Sequence, residues 1–209
     1  MSDTNLVFYY LPRTRSRTVL WMLEELGVPY EMKILDTANK ELQSPEFLAI
    51  NPMGKVPAIT HNGTPITESA AICLYLADAF PEAKLAPALN SPERGAYYRW
   101  AFFAAATLEY AMFDKAFNRE PVKAGTIGYG DYDRTINVTA QAVAKGPYLL
   151  GEHFTAVDVI MGSAIHLGFV FKMLPLRDEF SAYIARFKER PAFQRMLARD
   201  KELAEQMGQ

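Results

Sequence analysis

The chain has 209 residues, half of them hydrophobic, which is enough for a packed core in one large domain or two modest ones. Its 22 Lys and Arg are balanced by 24 Asp and Glu, so the formal net charge of −2 gives no electrostatic support for nucleic-acid binding. The single cysteine, Cys73, excludes an intramolecular disulfide, and the three histidines lack metal-ligand spacing, so we expect no metal site.

Membrane insertion and secretion have no support in the sequence either. The longest nearly apolar stretch, residues 101–108, falls short of the roughly 18 residues that span a bilayer. The start, MSDTNLVFYY, lacks a basic region followed by an apolar region. We therefore expect a cytoplasmic protein without a membrane partner.

The N-terminal residues predict a β-α-β unit. Residues 6–10 (LVFYY) are apolar and aromatic, as in a buried strand. Apolar residues then recur at helical spacing, with Ser16 as a candidate N-cap and Gly27 at the predicted helix end. Apolar and charged residues alternate over 30–34, which predicts a second strand.

A β-β-α unit is predicted next. Residues 58–66 form a hairpin pattern around Asn62-Gly63, a dipeptide that accepts the positive φ of a tight turn. A helix follows, with Thr67 and Ser69 as capping hydroxyls, and Pro81 stops it. Residues 1–81 therefore predict a small mixed sheet with helices packed against it.

The rest of the chain is predicted to be helical. Prolines mark residues 82–91 as a linker, and residues 92–209 carry helical patterns at 97–117, 134–144 and 157–173. Charges of both signs between residues 186 and 201, Asp200 among them, are expected at the surface.

The segment NPMGKVPAI places Pro57 just before a predicted strand, although proline lacks the N–H that a strand ladder uses. A cis Val56-Pro57 bond would resolve this and turn the backbone of Val56 outward, where an extended peptide ligand could pair with it. An ordinary trans proline at a sheet edge is the alternative, and both stay open.

A second candidate site is the helix start at Thr67-Glu68-Ser69. Free N–H groups, a hydroxyl and the positive end of the helix dipole can together hold a carboxylate there. The alternative is a simple helix cap.

These segments, VPAI and TESAAICLYLAD, resemble the glutathione-binding signature of the glutathione S-transferase superfamily. The likeness covers essentially the whole chain, including WMLEELGVPYE, the proline-rich linker and GEHFTAVDV, where Thr155 and Asp158 match the family's N-capping box. The resemblance implies an α/β plus all-α protein. A thioredoxin-like βαβ-ββα domain would bind glutathione, an all-helical bundle domain would form the hydrophobic co-substrate site, and the chain would form a homodimer.

The resemblance also implies roles for particular residues. The backbone of Val56, beside Pro57, would pair with the cysteinyl part of glutathione. Glu68 would bind the γ-glutamyl ammonium, and Ser69 would bind its carboxylate, in keeping with their charges. The candidates for the glycyl carboxylate are Lys40 and Gln43.

The group that activates the thiol is less determined. Members of the superfamily use a tyrosine at the end of the first strand, or a serine or cysteine in the following turn. This turn has no cysteine, and Cys73 lies in a predicted helix as a small hydrophobe. Three hydroxyls remain, those of Tyr10, Thr14 and Ser16. Thr14 is our first choice, whereas Ser16 could be only an N-cap and Tyr10 only a core residue.

Aromatic residues of the predicted helix 97–117 are candidates for the co-substrate pocket. Tyr110, Phe113 and Phe117 share a helix face at i, i+3 and i+7. Core packing is the alternative for all three.

We therefore expect a glutathione transferase that activates the glutathione thiol as a thiolate for attack on a small apolar electrophile. Reduction of peroxides or disulfides with glutathione stays open, because it needs no protein cysteine. The alternative from another class is a non-catalytic ligand-binding or interaction protein of the same fold.

Overall fold

The computed structural model of the chain describes residues 5–119 and 123–208. The chain divides into two compact units. The first comprises Met1–Ala83 together with Pro191–Gln209, and the second comprises Lys84–Arg190.

The first unit is built on a four-stranded mixed sheet. Its strands are β1 (Leu6–Tyr10), β2 (Glu31–Ile34), β3 (Ala58–His61) and β4 (Thr64–Thr67), in the spatial order β2-β1-β3-β4. β1 runs parallel to β2 and antiparallel to β3, which is antiparallel to β4. This is the predicted thioredoxin-like arrangement.

Helix α1 (Ser16–Leu26) lies between β1 and β2, α2 (Pro45–Ile50) lies between β2 and β3, and α3 (Ser69–Ala79) follows β4. Gly27 ends α1 as predicted, with a φ of 65° and its N–H bonded to the carbonyl of Leu23. Asn62 and Gly63 both have positive φ, as the predicted tight hairpin turn requires. Ser16 and Ser69 are the first residues of their helices instead of the predicted N-caps.

The second unit is helical in its described residues apart from turns and one isolated bridge. Its helices are α4 (Glu93–Phe103), α5 (Glu109–Ala116), α6 (Tyr132–Ala144), α7 (Ala156–Val170) and α8 (Asp178–Lys188). A π-helical turn, Ala104–Leu108, joins α4 to α5, so the predicted helix 97–117 is one helical run with a widened turn. The predicted capping box of Thr155 and Asp158 opens α7.

The last helix, α9 (Pro191–Gln206), belongs to the first unit, although the predicted boundaries placed residues 92–209 together. Every fourth residue of α9 is buried, and the ring of Phe193 packs edge-on against Trp21 of α1 at 4.8 Å between centroids. The sequence predicted helical structure to the end of the chain, but it gave no bounds for this helix and did not indicate which unit its apolar face covers.

Across residues 5–119 and 123–208, no helix combines the length and the apolar character needed to cross a membrane.

Candidate functional site

The strand order brings the predicted site segments to one end of the sheet. Tyr9, near the end of β1, lies opposite Ala58 at the start of β3, and Ala58 lies opposite Thr67 at the end of β4. The turn after β1, the Val56-Pro57 segment before β3 and the Glu68-Ser69 segment after β4 therefore emerge at the same sheet end. β2 runs parallel to β1, so the loop that follows β2 begins there as well.

The segment before β3 is shaped by a side chain that the sequence reasoning missed. Asn51 is buried, its amide donates to the carbonyl of Lys55 at 2.7 Å, and its side-chain oxygen accepts the N–H of Met53 at 3.1 Å. The Val56-Pro57 bond is cis, the first of the two isomers left open above. Asparagine before proline is a turn signal, and that signal was available in the sequence.

The half-buried side chain of Val56 packs against a small apolar cluster that contains Leu35, Phe47 and Ala58. This packing anchors the segment through its side chain. The backbone of Val56 lies just outside the β3 ladder, which begins at Ala58. Val56 therefore lies at the strand end, which is where an added peptide can pair with a sheet.

The side chain of Gln43 packs against this loop at Gly54. A side chain at Gly54 would meet the amide nitrogen of Gln43 at 2.6 Å and the carbonyl of Leu42 at 2.9 Å. Gly54 also has a φ of 61°, which glycine adopts without strain. Its missing side chain thus allows the loop carrying Gln43 to approach the loop carrying Val56. Lys40 is exposed on the preceding turn.

Glu68 and Ser69 stand at the start of α3. Glu68 is exposed and has a φ of 66° with a ψ of 117°, a sparsely populated backbone conformation that costs about 1–3 kcal/mol. Ser69 is half-buried as the first residue of the helix, where the first N–H groups have no partner within the helix. An exposed carboxylate and a helix N-terminus with a hydroxyl are thus adjacent, suited to an ammonium and a carboxylate respectively.

The turn after β1 carries two of the three candidate hydroxyls. Thr14 is half-buried, and its hydroxyl lies 2.7 Å from the carbonyl of Leu11. The same oxygen accepts the N–H of Ser16 at 3.2 Å, so Thr14 holds the N-terminus of α1. Ser16 is fully buried, which corrects the prediction that its hydroxyl could contact the thiol directly.

Tyr10 is also corrected as an activating residue. Its side chain is fully buried, and its hydroxyl donates a hydrogen bond to the carboxylate of Asp200 on α9. Burial, together with the Asp200 carboxylate, raises the pKa of Tyr10, which keeps the phenol protonated. Asp200 itself is only 4% exposed, so the prediction that it is a surface charge was wrong.

Cys73 is fully buried in α3, and burial raises the pKa of its thiol, which stays protonated at neutral pH. Within residues 5–119 and 123–208, no cluster of three or more His, Cys, Asp or Glu could hold a metal ion.

The predicted co-substrate residues lie on or next to α5 in the second unit. Tyr110 and Phe117 are 59% and 66% exposed, and Phe113 is half-buried. The rings of Phe113 and Phe117 stack in parallel, 5.9 Å apart. They form an aromatic surface that is open to solvent, which differs from the alternative of core packing for Tyr110 and Phe117.

The fold comprises a thioredoxin-like domain with a candidate ligand site at one sheet end, followed along the sequence by a helical domain. The family profile described as "Glutathione S-transferase, N-terminal domain" matches residues 14–79. Glutathione S-transferase hmp2 of Hypomyces subiculosus is 33% identical over 68% of this chain and 72% of its own length. The chain therefore belongs to the glutathione S-transferase family.

Other relatives extend the likeness over nearly the whole chain. Glutathione S-transferase GstA of Escherichia coli O157:H7 is 26% identical over 91% of this chain and 96% of its own length. A glutathione transferase from Methylococcus capsulatus superposes with a TM-score of 0.78 at 28% identity, over 94% and 98% of the two chains. A family member from Pseudomonas fluorescens with two bound glutathione molecules gives 0.72 at 26% identity, over 94% of each chain.

Proposed function

We propose that this chain is a glutathione transferase that binds glutathione at the sheet end and activates its thiol as a thiolate. The observation that carries the proposal is the convergence of the β1 turn, Val56 and Glu68-Ser69 at one sheet end. Glutathione has groups that match each segment. The glutathione-bound structure from Pseudomonas fluorescens, a member of the same family, supports this choice of ligand.

Binding follows the charges of the ligand. The exposed carboxylate of Glu68 pairs with the γ-glutamyl ammonium, and the Ser69 hydroxyl with the first N–H groups of α3 binds the γ-glutamyl carboxylate. The backbone N–H and C=O of Val56 pair with the cysteinyl residue, like one added strand residue. Gln43 and Lys40 are the candidates that bind the glycyl carboxylate.

Thr14 then acts on the thiol. A free thiol with a pKa of about 8.5 is only about 3% ionised at pH 7, and lowering this pKa by two units makes most of it thiolate. The Thr14 hydroxyl donates to the sulfur, and the N-terminus of α1 adds its partial positive charge. Arg13 and Arg15, both exposed in the same turn, raise the local positive potential.

The chemical step needs no protein nucleophile. The thiol proton leaves to solvent, the thiolate sulfur attacks an electrophilic carbon, and the leaving group departs with the electron pair of the broken bond. The aromatic surface of Tyr110, Phe113 and Phe117 suits a small apolar electrophile. Because Cys73 is buried and protonated, a mechanism through a protein disulfide is not proposed.

We also propose that the protein works as a homodimer in the cytoplasm, as the resemblance implies. Tyr98 and Phe102, one turn apart on α4, are exposed large apolar residues of the kind that a partner covers. Sedimentation equilibrium at micromolar concentration tests this, and a monomer at all concentrations would contradict it.

The decisive experiment is a pH titration of thiolate absorbance for glutathione bound to the wild-type protein, beside a calorimetric binding isotherm. We expect micromolar to millimolar binding with the thiol pKa lowered by at least one unit. Binding without a shift would indicate a carrier. Absence of binding would leave only the inherited fold and refute the proposal.

A further inference from the structure

A single carboxylate from the last helix holds the turn that carries Thr14. Asp200 Oδ1 accepts hydrogen bonds from the hydroxyl of Tyr10 and, at 2.9 Å, from the backbone N–H of Arg13. Asp200 Oδ2 lies 3.3 Å from Nε of Arg17. These donors belong to the end of β1, the turn itself and the first turn of α1. One side chain therefore fixes the whole path from strand to helix.

Arg13 is the strained residue of this path. Its φ of 56° is a conformation that non-glycine residues adopt rarely and keep only where their surroundings hold them. The hydrogen bond from the backbone N–H of Arg13 to Asp200 stabilises this conformation. Thr14 is the next residue, so its orientation depends directly on the backbone of Arg13.

We propose that Asp200 is a positioning residue for thiol activation. By holding Arg13 in the left-handed conformation, it keeps the Thr14 hydroxyl and the positive end of the α1 dipole in the orientation that stabilises the glutathione thiolate. This inference rests on the proposed function. Asp200 does not contact glutathione, because it is 4% exposed and both of its oxygens face protein groups.

The direction in which the pKa of the bound glutathione thiol changes when Asp200 is substituted separates a positioning role from a simple electrostatic one. A nearby negative charge disfavours a thiolate, so removal of the Asp200 charge would by itself lower the pKa of bound glutathione. Loss of the turn geometry has the opposite effect, because the thiolate loses the donors that stabilise it. A merely structural carboxylate would change the stability of the protein and leave this pKa unchanged.

The test uses four variants of the full chain and glutathione as the probe. Asp200→Asn removes the charge of the carboxylate and one acceptor oxygen. Tyr10→Phe removes only the hydroxyl that donates to Asp200 Oδ1 beside the N–H of Arg13. The double variant shows whether Tyr10 acts through Asp200. The matched control is Arg195→Gln, which breaks another link between α9 and α1, from Arg195 to Glu24 at 2.7 Å, without touching the turn.

We expect Asp200→Asn to raise the pKa of the bound thiol by about one unit, with glutathione affinity changed less than about threefold. With chlorodinitrobenzene as electrophile, the kcat/KM of Asp200→Asn is about tenfold below the wild-type value at acidic pH. The difference becomes smaller at alkaline pH, where the thiol ionises in both proteins. Tyr10→Phe gives a smaller rise, the double variant equals Asp200→Asn, and Arg195→Gln leaves the thiol pKa at the wild-type value.

A folded Asp200→Asn variant with an unchanged or lowered thiol pKa overturns the proposal. So does an equal rise in Arg195→Gln, which would reflect general loosening of α9, or additive effects of the two single substitutions, which would give Tyr10 an independent role. If Asp200→Asn does not fold, an unchanged thiol pKa in Tyr10→Phe is decisive against it. Wild-type protein without a lowered thiol pKa refutes the proposed function first, and the positioning role with it.

Discussion

The hydroxyl of Thr14 lies 3.0 Å from the hydroxyl of Ser16 and 2.7 Å from the carbonyl oxygen of Leu11. A hydroxyl has one proton, so a Thr14 proton directed at Leu11 leaves Ser16 as the donor toward Thr14. A bound thiolate competes with the Leu11 carbonyl for the Thr14 proton. Hydrogen bonds to charged acceptors are about twice as strong as neutral ones, which favours the thiolate.

Thr14→Val should raise the pKa of the bound glutathione thiol by about 1–2 units, because a hydrogen bond to a charged group is worth about 1.5–3 kcal/mol. Glutathione affinity at pH 6 should change little, since the thiol is then mostly protonated. Thiolate absorbance against pH measures this. Thr14→Ser keeps the hydroxyl and serves as control, and a full rise in both variants would mean that the methyl group, not the hydroxyl, matters.

Glu68→Gln should weaken glutathione binding by about tenfold or more, because it leaves the γ-glutamyl ammonium without its charged partner. Titration calorimetry at constant ionic strength measures the effect. Glu82→Gln removes another exposed acidic residue of the first unit and should leave the affinity at the wild-type value. Equal weakening in both variants would indicate a general effect of net charge.

Ser69→Ala should weaken binding less, by about three- to tenfold, because the N–H groups of α3 still face the γ-glutamyl carboxylate. Titration calorimetry measures the affinity of this variant for glutathione and for a glutathione analogue that lacks the γ-glutamyl carboxylate. The substitution should not alter binding of the analogue. A loss of the same size with the analogue would place Ser69 elsewhere than at the carboxylate.

Gly54→Ala should lower both stability and glutathione affinity. The new side chain carries the cost of a positive φ, about 1–2 kcal/mol, and also displaces Gln43. Gly27→Ala is the matched control, because Gly27 has a φ of 65° and nothing within 4 Å of the added carbon. Urea unfolding of the two variants gives the packing cost by difference. Gly27→Ala should keep wild-type affinity, and equal losses of affinity would exclude a role for the Gln43 contact.

Alkaline pH should destabilise the wild-type protein partly through Tyr183. Its hydroxyl is fully buried and donates to Asp158 at 2.7 Å, and burial together with the Asp158 charge holds the pKa of Tyr183 well above 10. The native state then keeps a proton that the unfolded chain loses above pH 10, so the free energy of unfolding falls as pH rises beyond that point.

Tyr183→Phe should make this fall shallower, by up to about 1.4 kcal/mol per pH unit above pH 10. Denaturant unfolding at pH 8 and at several values up to pH 11 measures it. The difference at pH 8 gives the constant cost of the lost hydrogen bond, which is subtracted. Parallel curves for the two proteins would show that Tyr183 ionises equally in both states.

Local patterns predicted the four strands and helices α1 and α3, because each relevant signal lies within a few residues, but they did not predict α2 (Pro45–Ile50). Asn62-Gly63 predicted its hairpin, and Thr67 with Ser69 predicted a helix start, since turns and caps are made by neighbours in sequence. The family likeness identified the capping box of Thr155 and Asp158, which opens α7.

The contacts of Asp200 could not be predicted in this way. An amphipathic helix with charges of both signs has the same pattern whether one aspartate faces water or a strand 190 residues away. Ser16 and Tyr10 were candidates for a related reason, because a sequence shows which hydroxyls are near a turn but not which are buried beneath it. The structure separates Thr14 from both by exposure.

The return of α9 to the first unit affects the order in which the chain matures during synthesis. The ribosome completes residues 84–190, which form a unit by themselves, before it has made the helix that covers α1 and supplies Asp200. We therefore expect the later-encoded helical unit to acquire its native packing before the earlier-encoded sheet does. A released fragment of residues 1–190 should resist protease in the second unit and be cleaved in the first.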